Sequence, residues 1–211
     1  MRKLGIVFVI LGALLVSGAL LLLFMNKSED EAAGETARET LESIKELIVT
    51  LPTEEPVHVD RFNEEEVLRS YNMRVVNVDG SGYIGYISIP KLGIELPVMS
   101  ELDSEKLKTS PCRMTGSVKS GDMIIAGHNY KRHFGGLKDL LIGDAAYFTD
   151  MNGRVRTYLV SELLILEPTD IDGMMAGDWD LTLFTCTYGG AQRVTVRLVE
   201  IRDAGGDILR Y

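Results

Sequence analysis

The sequence holds two cysteines and three histidines, few enough for each to be weighed singly as a chemical group. Cys186 ends "LTLFTC" (181–186), a run of β-formers followed by Thr187 and a Gly189-Gly190 turn signal. A cysteine attacks as its thiolate, so it needs a base or an imidazolium beside it. It also needs a donor for the oxyanion that develops on a substrate carbonyl. His128 follows the apolar run and glycine of "MIIAGHNY" (123–130), at the point where a strand gives way to a loop. Such a position is held by the scaffold yet open to a ligand. His58 lies in a proline-broken stretch, and His133, after Lys131 and Arg132, reads as a solvated loop residue. In "RVTVRLVEI" (193–201), Val194, Val196 and Leu198 alternate with Arg193, Thr195 and Arg197. With the apolar set facing the core, both arginines share the other face. Arg193, on the strand after the "YGGAQ" turn (188–192), then lies beside the thiol, where a permanent cation favours thiolate and binds a carbonyl oxygen. Plainer readings stand next to these. A strand-end histidine is commonly structural, an arginine face is commonly solvated, and Cys112 and Cys186 can pair as one disulfide in an extracellular chain.

The elements that must position these groups are short strands. "MRVVNV" (73–78), "YIGYISI" (83–89), "IELPV" (94–98), "DMIIAG" (122–127), "RVRTYLVSELLIL" (154–166), "LTLFTCT" (181–187) and the arginine-bearing run alternate between turn signals. Only "FGGLKDLL" (134–141) reads as helical among them. Many strands with brief turns and no βαβ rhythm argue for an all-β barrel or sandwich. There is no internal repeat.

The N-terminus is of another kind. Residues 4–25 run 22 positions without a charge, enough helix to cross a bilayer core of about 30 Å. No small-x-small cleavage site follows, so the segment reads as a retained anchor rather than a signal peptide. Arg2 and Lys3 precede it and acids follow, which predicts a cytoplasmic N-terminus and an external remainder. Of the net charge of −9, residues 29–66 carry −10 and the chain from Val67 onward only −2. The acidity therefore belongs to a stalk, a solvated spacer, and no basic stripe exists to hold nucleic acid. Capping-box patterns at Ser28 and Thr36 predict helix starts, and Leu41, Ile44, Leu47 and Ile48 make an apolar stripe at helical spacing. "LPTEEPVHVD" (51–60) breaks that helix, and "NEEEVLRSY" (63–71) reads as a short one. The division is then 1–27 tip and anchor, 28–72 acidic, partly helical stalk, and 73–211 the β domain that carries the candidate chemistry.

Several of these stretches together resemble the sortase family. "TLFTC" is similar to the signature Thr-Leu-x-Thr-Cys, with Cys186 on the nucleophile. "AGHN" resembles the histidine motif, with His128 on the catalytic position, and Arg193 matches the arginine on the strand after the cysteine. "YIGYISIPKLGIELPV" (83–98) looks like the opening strands, "FGGLKDL" like the helix after the histidine loop, and "GDAAYFTD" (143–150) like the turn and strand that follow. The likeness runs in order through about residues 73–201.

The resemblance implies an all-β, sortase-like barrel of about eight strands with short helices, preceded by the transmembrane helix and helical stalk. It implies a membrane-bound cysteine transpeptidase on the outer face of a Gram-positive-type cell. Cys186 would cleave a C-terminal LPxTG-like sorting motif through a thioester, with His128 protonating the leaving amine and Arg193 stabilising the oxyanion. Thr185, Asn129 and Thr187 are expected to touch substrate. The acceptor would be an amine of a peptidoglycan precursor or a pilin. Neither cofactor nor metal is expected; the acids of "ELDSEKL" (101–107) and "DIDG" (170–173) read as solvated loops rather than a calcium site. Three departures qualify the likeness. Cys112 and Arg113 stand where the family has glycine and histidine. Arg197 shares the face of Arg193. "GHNY" resembles class B, yet residues 167–180 are too few for the helix that class inserts, so the class, with B-like or D-like features, stays open. Papain-like wall hydrolases place the cysteine before the histidine, and cysteine L,D-transpeptidases carry a Ser-x-Gly-Cys-type motif absent here. The alternative of another kind is an inert, membrane-anchored β module that binds a partner, with a structural Cys112–Cys186 disulfide.

Overall fold

The computed structural model of the chain describes residues 2–52, 73–187 and 189–202. It begins with one unbroken helix, α1, over Arg2–Thr50, about 74 Å long at 1.5 Å per residue. Its span from Ile6 is long and apolar enough to cross a membrane. Ser28 and Thr36 therefore lie inside a helix and start none, a correction to the capping reading. No proline interrupts the segment, and the lower half is held by packing rather than by caps. Pro52 supplies the stop, since the residue before a proline is driven out of helical geometry. The expected stripe does pack on the domain. Leu41 and Ile44 are buried, and Leu47 and Ile48 lie against the same cluster. His58 and the expected helix at 63–71 fall outside the described residues.

Among the described residues nine strands follow: β1 Val76–Val78, β2 Ser81–Ile89, β3 Ile94–Met99, β4 Cys112–Thr115, β5 Met123–Gly127, β6 Ala145–Asp150, β7 Val155–Leu166, β8 Leu181–Cys186 and β9 Arg193–Glu200. They pair in the order β1-β2-β3-β4-β5-β8-β9-β7-β6, and a β2–β6 pairing closes the last eight into a barrel. Closure removes the sheet edges that would otherwise template aggregation. Gly85 makes it possible: at φ +145° it sits in a conformation L side chains rarely adopt, and a Cβ there would strike the Thr149 carbonyl of β6. Between the strands lie short 3₁₀ turns at Pro90–Leu92, Lys106–Lys108 and Phe134–Asp139 and one helix, α2, at Ile171–Met175. The barrel interior is filled by the inward set, including Ile84, Ile87, Ile125, Phe148, Leu183 and Val196. A second cluster lies outside the wall, where Ile44 of α1 covers Tyr83, Met99, Cys112 and Met151.

Candidate active site

Strand register gathers the predicted chemistry. β5 runs parallel to β8 with Gly127 beside Thr185, so His128 follows at the level of Cys186. β8 and β9 are antiparallel with Cys186 directly opposite Arg193, a relation that holds Cβ atoms about 4.5–5.5 Å apart. Alternation sends Leu181, Leu183 and Thr185 toward the core and Thr182, Phe184 and Cys186 to the outer face of the wall. Histidine, cysteine and arginine thus meet on three adjacent strands, at one end of the barrel.

Both cysteines are free, so the expected alternative of a Cys112–Cys186 disulfide is overturned. Cys112 is fully buried beneath α1, its thiol donates to the Ser110 carbonyl at 3.4 Å, and burial pushes its pKa up. It is an inert core thiol. Cys186, by contrast, is half exposed and opens into a cavity of about 450 Å³. Asn129, Thr185, Thr187 and Val194 line the same cavity. The Thr185 hydroxyl is buried without a partner, whereas the Thr187 hydroxyl accepts from the Gln192 N–H at 3.0 Å and closes the β8–β9 turn. A larger cavity of about 670 Å³ lies between α1 and the Leu92–Leu96 stretch and does not reach the thiol.

His128 stacks on Tyr130, with ring centroids 3.8 Å apart and planes at 28°. Its Nδ1 is buried without a hydrogen-bond partner. Burial holds its pKa below the usual histidine value, with Glu29 of α1 pulling upward and Lys108 adding to the depression. The imidazole is therefore mainly neutral at pH 7, the form able to take a proton from a thiol. Arg193 is half-buried, and its guanidinium rests loosely on the Gly190 and Gln192 carbonyls at 3.4 Å each. Arg197 has another fate. It is 2% exposed, and it donates to the Met174 and Gly173 carbonyls and to the Thr182 hydroxyl. It pins α2 to the wall, leaving Arg193 as the arginine at the thiol.

Two residues of this region were not legible as such. His133, expected to be solvated, is fully buried, and among the described residues neither ring nitrogen makes a full hydrogen bond, the Ala33 backbone giving only a weak contact. α1 lies over it through Ala33 and Ala37, both almost fully buried, and Gly34 comes so close that a Cβ would strike the Arg132 side chain. Burial drives its pKa down to about 4, against a smaller upward pull from the Ala33 backbone and Asp30. Tyr130, unassigned from sequence, joins the site through its stack on His128. Of the acids read as solvated loops, Asp103 accepts from the Glu105 and Lys106 N–H groups, and Asp170 caps α2 by accepting from that of Gly173. Among the described residues no cluster of three or more metal-ligating side chains forms.

The Sortase domain family model matches residues 87–200, more than half of the chain. No curated protein sequence matches. Among solved structures, sortase C1 of Streptococcus agalactiae is 26% identical with a TM-score of 0.59, over 78% of this chain and 99% of that one. A Clostridium perfringens sortase D5 transpeptidase is 22% identical with a TM-score of 0.56, over 79% and 99%. A Clostridium perfringens sortase C solved with the C-terminal cell wall sorting motif is 21% identical with a TM-score of 0.52, over 80% and 89%. With the barrel and the ordered motifs, these matches identify the chain as a member of the sortase family.

Proposed function

We propose that the protein is a membrane-anchored cysteine transpeptidase that cleaves an LPxTG-like sorting motif and passes the acyl group to an amine. The observation that carries this reading is the register of β5, β8 and β9, with a free, half-exposed Cys186 between His128 and Arg193 at one strand end. In the acylation step the Cys186 thiol gives its proton to His128, and Sγ attacks the threonyl carbonyl carbon. The carbonyl electrons move onto oxygen, where the Arg193 guanidinium stabilises them. The intermediate collapses, the threonyl–glycyl C–N bond breaks, and His128 returns the proton to the leaving amine. A peptidoglycan or pilin amine then attacks the thioester carbon, loses its proton to His128, and expels the Cys186 thiolate. Splitting the exchange through a thioester lets an amine compete with water, provided the cavity keeps water out. Thr185, Asn129 and Thr187 are assigned to the walls that contact substrate, consistent with their place in the cavity.

The apolar helix anchors the enzyme, with the Arg2 and Lys3 end in the cytoplasm and the barrel outside. The sorting motif bound in the Clostridium perfringens relative supports the substrate class. The test is transfer of fluorescent LPxTG-type peptides to glycine oligomers or a lysine peptide by the full-length protein in detergent micelles. A transfer product that disappears in Cys186→Ala supports the reading. Product formation that survives Cys186→Ala overturns it.

A further inference from the structure

The anchoring helix reaches into the catalytic region. Asn26, Lys27 and Asp30 of α1 line the cavity that holds Cys186. Asp30 accepts the Arg132 backbone N–H at 2.9 Å, and the Tyr130 hydroxyl donates to the Glu29 carboxylate at 3.4 Å. The small residues Ala33, Gly34 and Ala37 let the helix lie flush on the loop at Tyr130–His133. The Tyr130 ring also stacks on His128 and meets His133 edge-on at 5.6 Å. Among the described residues the imidazole has no hydrogen-bond partner at Nδ1 to orient it.

We propose that Tyr130, stacked on the imidazole and in loose contact with Glu29 of the membrane helix, is the positioning residue for His128, so that α1 completes the catalytic site as well as anchoring the protein. This inference rests on the transpeptidase reading for its kinetic consequence, though not for its structural one. A stacked aromatic pair favours one ring orientation over the others. Proton transfer falls off steeply when an imidazole strays from the reacting atoms. The charged and titratable groups around His128 are Glu29 on α1, Lys108 from the β3–β4 connection, Tyr130 and His133 on its own loop, and Cys186 and Arg193 at the neighbouring strand ends. Asp30 acts one step further, on His133.

The test uses full-length protein in micelles, with the histidine ring resonances followed by NMR from pH 4 to 9 beside peptide-transfer kinetics. In Tyr130→Ala the imidazole loses its cover, so the His128 midpoint rises and kcat falls about tenfold with KM little changed. In Glu29→Ala the anion that favours the imidazolium is lost, so the midpoint falls instead, again with a loss in kcat. Tyr130→Phe keeps the stack without the Glu29 contact and recovers a kcat between that of Tyr130→Ala and wild type. The Glu29 side chain reaches the Tyr130 hydroxyl from a solvent-exposed position, so its variant folds even if Tyr130→Ala does not. A His128 midpoint and kcat at wild-type values in either alanine variant overturn the inference. Absence of transfer in wild type refutes the function instead, and the two midpoints then still decide whether Tyr130 and Glu29 control the imidazole.

Discussion

Arg193 and Arg197 sit two pleats apart on one face of β9, and the account gives them opposite jobs. Arg197→Met leaves the Met174 and Gly173 carbonyls and the Thr182 hydroxyl without their donor in a buried setting. Hydrogen bonds from a charged donor are each worth about 1.5–3 kcal/mol. The guanidinium also suffers from burial, which lowers its pKa, and methionine relieves that penalty. Three such bonds lost, set against the relief of the buried charge, leave a net loss of about 3–5 kcal/mol. At roughly 2–4 °C per kcal/mol for a domain of this size, Tm should fall by roughly 6–20 °C. Arg193→Met removes two loose 3.4 Å contacts from a half-exposed side chain and should change stability by less than about 0.5 kcal/mol. Its cost is catalytic, about 100-fold in kcat for an oxyanion donor. Differential scanning fluorimetry and peptide transfer below the transition of the weaker variant separate the two effects. A larger Tm loss in Arg193→Met than in Arg197→Met, or a greater loss of turnover in folded Arg197→Met, refutes the assignment.

Three further outcomes follow from the packing. A Cβ at Gly127 would strike the fully buried ring of Phe134; Gly127→Ala should cost about 1–3 kcal/mol and displace His128, visible as slowed transfer that Phe134→Leu partly restores. His133 binds a proton more weakly in the folded chain, with a pKa of about 4, than at its ordinary 6.5. The unfolded state therefore takes up more protons below pH 6.5. His133 contributes no such penalty above pH 6.5, and stability is lost as pH falls from 6.5 toward 4, by about 3 kcal/mol in all. Melting curves across that window should show the loss, and His133→Leu should flatten it. Ile44→Ala removes the residue that seats α1 on Tyr83, Met99 and Met151; a cost of about 2–5 kcal/mol should appear as faster proteolysis of α1 at unchanged barrel melting.

The strands were legible because alternation survives in "YIGYISI", "LTLFTC" and "RVTVRLVE", and their register then brought His128, Cys186 and Arg193 together as the motif order implied. Period-two reasoning could not choose between Arg193 and Arg197, which share a face. The choice is made by the Gly173–Met174 backbone folding onto Arg197, a long-range contact with no local signal. The burial of His133 was hidden for the same reason. Beside Lys131 and Arg132 it looks solvated, and the cover comes from a helix about a hundred residues away in sequence. The docking stripe of α1 was read from Leu41 onward, yet it continues upward through Ala37 and Ala33. Alanine and glycine permit close approach without raising hydropathy, so that half escaped notice. Tyr130 stood in "GHNY" two residues from the histidine, but a stack across one turn of loop has no spacing rule to announce it.

The central claim is that Cys186 forms the acyl-enzyme. Full-length protein should be mixed with an LPxTG-type peptide in the absence of an added amine, quenched in acid and resolved by intact mass and peptide mapping. An acyl mass should appear on Cys186 and none on Cys112, the adduct should be lost on adding the amine, and it should form much more slowly in His128→Ala. An adduct on Cys112, or amine transfer that proceeds in Cys186→Ala, would contradict it.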